Sequence, residues 1–500
     1  MAEHEVELVA TEGIFVGLSK QNLLFHQCVC ELCDNAIAAT REGAKALIDI
    51  VFSPIPDSED VDLFVCDNGC GMGLNDLMEA LQLGGEPTSS SRLNEHGFGL
   101  KNSLATLSGG NGWWKLWSRK NVGSIVSVEG PFRSRMLIID DDTEGFPDHS
   151  FIPSDCSTII HVKVKLTFVR TVQGRGAPTT DLSNLRNWLI EHLGVSYRGY
   201  LSLNQLTQEP SARITVLINT NRLVVPPIEV PLGNTNVEYL EDVELAGECY
   251  RLQYRYGTLD EVKRDTLIHS QKAKYYYQNN IATQGIDIRL GDRVIATRQF
   301  ETIWKTEDGR SQLARHNNYN DFAGELLIPE LPRGVLTTIN NKTDFNLDDA
   351  NWIKIFERLN EIRPPKQIRE KTEAAIKEKW ISMLKATNPQ DEITDEYSVW
   401  PTGTRIDVFR KRAAPDNSII IYELKVGSGT PQQLYQLKMY WDGLLISGEQ
   451  PKEAVLLVEE YSTALVSMAN QMNTLPTPQV KGMPSSNYNF RLEKHADVQL

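Results

Sequence analysis

Residues 23–44 read LLFHQCVCELCDNAIAATREGA, and residues 61–73 read VDLFVCDNGCGMG. The first stretch spaces its apolar residues as a helix does; the second alternates like a strand and runs into a glycine turn. In the helix Glu31, Asp34 and Asn35 stand at i, i+3 and i+4, which predicts three polar side chains on one face. A carboxylate and a carboxamide so placed can polarise a water and offer oxygen to Mg²⁺. At the strand end Asp67 is followed by Gly69, Gly71 and Met72. An acceptor there can bond an exocyclic amine while the glycine backbone approaches a flat ring. A third motif, His96-Gly97-Phe98-Gly99-Leu100-Lys101, closes the polar stretch 84–94 and opens a helix. Glycines at a helix N-terminus, with a lysine, make a phosphate cradle.

The chain around these motifs has 500 residues, enough for about three domains. Its hydrophobic content suffices for ordinary cores. Acidic residues outnumber basic ones 66 to 51, a formal charge of -15, which excludes a protein that holds nucleic acid by bulk charge. No apolar run reaches the about 18 residues of a membrane span, and the opening MAEHEVELVA is acidic, so neither anchor nor signal peptide is expected. A cytoplasmic protein is the expectation. Seven cysteines do not suggest a disulfide framework. Cys30 and Cys33 form a CxxC, with Cys66 and Cys70 as a conceivable second pair for zinc. Cys30 and Cys33 lie among Leu, Val, Ile and Ala, and read as small buried hydrophobes.

Taken in order, the helical acid and amide, the strand-end Asp with glycines, and the glycine turn into a helix resemble the GHKL family of ATPases. That family includes gyrase-type topoisomerases, the Hsp ninety-kilodalton chaperones, histidine kinases, MutL and MORC. The resemblance implies a Bergerat-type α/β sandwich over residues 1–205, with ATP and Mg²⁺ as cofactors. Glu31 would orient the hydrolytic water, and Asn35, beside Asp34, would hold Mg²⁺ at the phosphates. Asp67 would bond the adenine amine, with Gly69, Gly71 and Met72 around the purine. Residues 84–96 would form a lid, and Gly97, Phe98, Gly99, Leu100 and Lys101 would meet the nucleotide. Thr158, in DCSTIIHVKV, matches the later strand Thr that supports the Asp, although Ser157 stands where the family has Gly.

From Ser211 to about Leu290 the sequence becomes strand-rich, and a mixed segment runs to Arg363. QGIDIRLGDRVIATRQF is a strand–turn–strand with a Gly-Asp-Arg tip, and GVLTTINNKTDFNLDDANW resembles MORC. The resemblance implies a transducer α/β domain over 206–363, with Lys342 reaching the terminal phosphate and ATP driving homodimerisation. A surface-loop role for Lys342 stays equally open. Arg289, Arg293 and Arg298, and the run RPPKQIREK, are candidate DNA-facing clusters.

Pro364 and Pro365 mark a seam, after which a charged helix starts. A hairpin follows, TRIDVFRKR and IIIYELKV about the turn AAPDNS, then a helix from Pro431. The last 25 residues read as a loosely held tail. Alternation puts Glu423 and Lys425 on one face, and the hairpin brings Asp407 alongside. Two carboxylates and a lysine can hold Mg²⁺ and position or deprotonate a water for attack on a phosphodiester. Gln436 and Tyr440 stand one turn apart on the next helix. This D…ExK hairpin with QxxxY resembles the PD-(D/E)XK nuclease superfamily, its Mrr-like restriction branch above all. That implies an α/β nuclease core over 364–500, with Asp407 and Glu423 as metal ligands and Lys425 and Gln436 assisting. Glu373 and Glu378 are both candidates for a further helix carboxylate, and Ile406 stands where the motif has Pro.

The whole resembles an ATP-gated, clamp-forming α+β protein that cuts DNA, in prokaryotic defence, with a partner subunit supplying recognition. A clamp that grips DNA without cutting, and a chaperone-like ATPase, are the competing readings.

Overall fold

Alternation along the strand Asp60–Asp67 sets the geometry of the N-terminal half. Val61, Leu63 and Val65 enter a core shared with the helices Phe25–Ala38, Gly99–Leu107 and Leu182–Ser196. Phe64 and Cys66 point to the other face, where Phe146, Phe151 and Ile152 cover them. With a period of two, Asp67 therefore ends on the helix-facing side.

The computed structural model describes residues 12–82, 93, 97–120, 123–173, 181–204, 207–218, 221–267, 275–304, 313–338, 349–365, 373–399, 404–482, 484–498 and 500. Backbone contacts divide the chain into two compact units, Met1–Gln367 and Ile368–Leu500. The first unit contains an eight-stranded sheet. Its order is Ile138–Ile139, Ile125–Glu129, Trp114–Arg119, Thr158–Lys165, Asp60–Asp67, Ala46–Pro54, Ala212–Ile218 and Asn221–Val224. Neighbours run antiparallel except Ala46–Pro54 and Ala212–Ile218, which run parallel. Helices on one face of one sheet make the two-layer arrangement. The boundary expected at 205/206 is corrected here. Strands Ala212–Ile218 and Asn221–Val224 complete the first sheet because Ile214 and Val216 bury in its core.

The same unit holds a five-stranded sheet, ordered Arg293–Gln299, Gly285–Leu290, Phe322–Ile328, Glu248–Leu259 and Leu232–Leu245. Helix Ala350–Asn360 lays Trp352, Ile355, Phe356 and Leu359 into its core. The two sheets are joined by the fully buried Arg198. Its guanidinium donates to Glu325 (2.6 Å) and Asp287 (3.0 Å), both on the second sheet, and to the Tyr277 hydroxyl (2.7 Å).

The second unit is a five-stranded sheet ordered Glu392–Ser398, Arg405–Lys411, Ile419–Leu424, Pro451–Val458 and Phe490–Lys494. Helix Glu373–Thr387 packs Ile376, Trp380 and Leu384 on one face, against Val408, Ile420 and Tyr422. Helices Pro431–Ile446 and Thr463–Met472 cover the other. The loosely held tail is a second correction. Phe490–Lys494 pairs in parallel with Ala454–Val458, and Tyr488 and Phe490 are buried, so the tail completes the sheet and core. Among the described residues no helix is long and apolar enough to cross a membrane.

Candidate nucleotide pocket and acidic hairpin

A cavity of about 490 Å³ opens between the first sheet and helices Phe25–Ala38 and Gly99–Leu107. That volume suits a small-molecule ligand. Asp67 and Thr158 lie at its sheet side as a directly paired couple of neighbouring strands. The Thr158 hydroxyl is 2.9 Å from that of Ser118, which in turn accepts from the Met72 amide at 2.8 Å. The glycine turn is thereby tied to the sheet. Within it the Gly69 amide donates to Asp67 Oδ1 at 2.9 Å. Gly71 has φ +65°, and a Cβ there would fall 2.0 Å from the Arg119 carbonyl oxygen. Only glycine fits that approach. Burial pushes the Asp67 carboxyl up to about 6, against the opposing pull of the Gly69 amide.

The helix wall supplies Asn35, Ala36 and Ala39, and the opposite wall Gly97, Gly99, Leu100 and Lys101. Phe98 is the N-cap residue of the Gly99–Leu107 helix. Glu31 is buried against that turn: a Cβ on Gly99 would lie 2.1 Å from its Oε2. Asp34 does not join Glu31 and Asn35. Residues 34 and 35 are about 100° apart around the helix, so Asn35 faces the cavity and Asp34 faces the protein body. There Asp34 Oδ1 accepts from the Tyr197 hydroxyl (2.7 Å) and Arg293 Nε (3.0 Å). Asp34, expected with Asn35 among the nucleotide-binding residues, makes these contacts and does not line the cavity.

Lys101 lines the cavity, but its ammonium donates to the carbonyls of Ala80 (2.8 Å) and Gln82 (2.7 Å). These are the terminal carbonyls of helix Leu74–Leu81, a natural seat for a cation. Burial lowers its pKa to about 8. The lysine thus lines the pocket while its ammonium caps a helix beside it. Sequence reading missed Ser118, and also the ion pair Lys120–Asp76 (2.9 Å), both of whose residues line the cavity. A serine inside the apolar strand WKLWSR was the available signal for Ser118. Lys342, His96 and residues 84–92 and 94–96 of the expected lid lie outside the described residues.

Residues 23–122 match the family model of histidine kinase-, DNA gyrase B-, and HSP90-like ATPases. Over that stretch the chain is similar to the GHKL-type ATPases. The match covers Glu31, Asn35, Asp67, the glycine turns and Lys101, and it supports ATP binding and hydrolysis, typically with Mg²⁺. No curated protein matches the chain. Of the cysteines in this segment, Cys28, Cys30, Cys33 and Cys66 are buried among apolar side chains, and Cys70 is exposed. Among the described residues no group of three or more His, Cys, Asp and Glu could hold a metal ion. The arginines read as DNA-facing are also corrected. Arg293 is buried on Asp34, Arg289 lies 3.7 Å from Glu325, and Arg298 stacks on the Tyr275 ring at 4.4 Å. Buried or partnered guanidiniums are not a phosphate-binding face. Lys366–Lys371 of the second basic run lie outside the described residues.

In the second unit the hairpin register pairs Val408 with Tyr422, so one step further Asp407 stands across from Glu423. Asp407 Oδ2 accepts from the Leu424 amide at 2.9 Å. Lys425 Nζ lies 3.1 Å from Glu423 Oε1 and donates to Glu373 Oε2 at 3.1 Å. Glu373, rather than Glu378, is the helix carboxylate that reaches the lysine. Glu423 is fully buried, and burial, then the charge of Asp407, push its carboxyl up to about 7. Burial alone would lower the Lys425 pKa, but Glu423, Glu373 and Asp407 hold it above its ordinary value. A lysine so paired can orient a water or a phosphate. Gln436 Nε2 donates to the buried Tyr440 hydroxyl at 2.6 Å, and burial raises that phenol to about 12.

Proposed function

We propose that this chain is an ATP-gated DNA-cutting enzyme, with an N-terminal ATPase and a C-terminal Mg²⁺-dependent nuclease. The Asp67–Thr158 couple beneath a glycine turn, with Glu31 held against Gly99, supports the ATPase half. The Asp67 carboxylate would accept the adenine amine. The Asn35 carboxamide, which faces the cavity, fits an oxygen ligand for Mg²⁺, an ion that keeps waters and substrate phosphates in its remaining positions. Mg²⁺ would neutralise phosphate charge, and Glu31 would orient the attacking water. The second sheet would act as the transducer, and ATP would draw two chains into a homodimeric clamp.

The convergence of Asp407, Glu423 and Lys425 on one end of one hairpin carries the nuclease half. Gathering three charges around a fully buried Glu423 is costly unless they serve a site. Asp407 and Glu423 fit Mg²⁺ by donor type. Lys425 would orient the nucleophile, and Gln436, fixed by Tyr440, would bound the site. A partner subunit would supply recognition, and a role in prokaryotic defence rests on architectural analogy.

The test is plasmid degradation in Mg²⁺ with ATP, ADP, a non-hydrolysable analogue, and no nucleotide. Nucleotide-dependent loss of plasmid that disappears in Asp407→Asn is expected. Cutting that survives both Asp407→Asn and Lys425→Met would sink the assignment. DNA retention without any cutting would leave a gripping clamp.

A further inference from the structure

We infer that Arg293 is a positioning residue for ATP hydrolysis, holding the helix that carries Glu31 and Asn35 through its ion pair with Asp34. The inference rests on the ATPase reading of Glu31 and adds what controls it. Asp34 lies one turn after Glu31 and directly before Asn35, and it is fully buried. Its Oδ1 takes Arg293 Nε at 3.0 Å and the Tyr197 hydroxyl at 2.7 Å. The same hydroxyl also lies 2.7 Å from the Cys30 carbonyl oxygen, so its single proton is shared between two acceptors of the helix, one on each side of Glu31. The Arg293 guanidinium also covers the Tyr197 ring at 4.6 Å.

Arg293 does not belong to the first sheet. It is the first residue of strand Arg293–Gln299 of the second, directly after the turn from Gly285–Leu290. That turn is seated on Gly199, where a Cβ would fall 2.6 Å from the Asp292 Cα. Three consecutive residues thus make the joint. Tyr197 bonds the catalytic helix, Arg198 ion-pairs with Asp287 and Glu325 of the second sheet, and Gly199 receives its turn. A displacement of the second sheet must carry Arg293 with it, and must drag Asp34 or break a desolvated pair. Removing one partner of such a pair is strongly unfavourable, so the helix follows. A small shift of Glu31 matters because a misplacement of about 1 Å can cost on the order of a hundredfold in rate.

Steady-state ATP hydrolysis by the full chain tests this, alongside binding of a non-hydrolysable ATP analogue and the thermal unfolding transition. Arg293→Met is expected to lower kcat about tenfold to a hundredfold with analogue affinity within about threefold, and Arg293→Lys to recover part of the loss. Gly199→Ala removes no charge and touches no pocket residue, and it should give the same split by unseating the turn. If kcat in Arg293→Met and Gly199→Ala stays within about twofold of the unaltered chain, the inference is overturned. It is equally overturned if kcat, analogue affinity and the unfolding transition fall together in both, since that is loss of structure. An unaltered chain that hydrolyses no ATP overturns the ATPase reading along with it.

Discussion

The carboxylate of Glu31 occupies the space that a side chain on Gly99 would need. A Cβ at that position would lie 2.1 Å from Glu31 Oε2. Two motifs 68 positions apart in the sequence are therefore a single steric unit (99 − 31 = 68). Gly99→Ala should displace Glu31 and lower kcat about a hundredfold, as a misplaced general base does. Glu31→Ala should lose hydrolysis and keep nucleotide binding. Retained turnover in Glu31→Ala, measured by phosphate release, would deny Glu31 its role.

Asp67 makes the nucleotide affinity pH-dependent. Its carboxyl is lifted from an ordinary 3.8 to about 6 by burial. The acceptor is complete above that value and is lost as pH falls through it. Analogue affinity should therefore be flat above neutrality and weaken below about pH 6. Stability of the free protein runs the other way. A raised folded pKa contributes stability that is full below the unfolded value and is lost as pH rises through about 6. Asp67→Asn should abolish both pH dependences, in calorimetric titrations and in unfolding curves taken from pH 5 to about 8. An affinity profile unchanged by the substitution would exclude Asp67 from the pocket's chemistry.

Lys425 should behave as a fixed cation. With Glu423, Glu373 and Asp407 around it, its proton is held above the ordinary lysine range. Lys425→Arg is expected to retain a measurable fraction of DNA cleavage. Lys425→Met should lose about 10²-fold or more, the usual worth of an electrostatic stabiliser. Equal loss in both variants, followed by gel assay in Mg²⁺, would point to a neutral lysine acting as a base instead.

Phe490 tests the C-terminal strand. It is buried beside Trp441 and Tyr488, its ring 5.9 Å from the first and 5.4 Å from the second. Phe490→Ala should destabilise the second unit by about 3–5 kcal/mol, the cost of a large-to-small change in a packed core. Urea unfolding of the full chain measures it. A loss near zero would return residues 476–500 to the status of a tail.

Local pattern was enough to place the helix around Glu31, the strand ending at Asp67 and the hairpin carrying Asp407 and Glu423. Each of these is a short-range consequence of apolar periodicity and turn chemistry. Proximity along the chain also put Asp407 and Glu423 on adjacent strands, while their register across the loop 412–418 was set by the folded sheet. What the sequence could not determine was the partner of each charge. Asp34 and Asn35 are adjacent in the chain, yet one faces the cavity and the other meets Arg293, 259 positions away. Lys101 has a phosphate-binder's spacing but caps a helix, and the final strand looks polar until Ala454–Val458 pairs with it. Burial strips a charge of water and forces it to take whichever opposite group the packing brings within reach. That group is chosen by the assembled tertiary structure, and no local rule along the chain contains it.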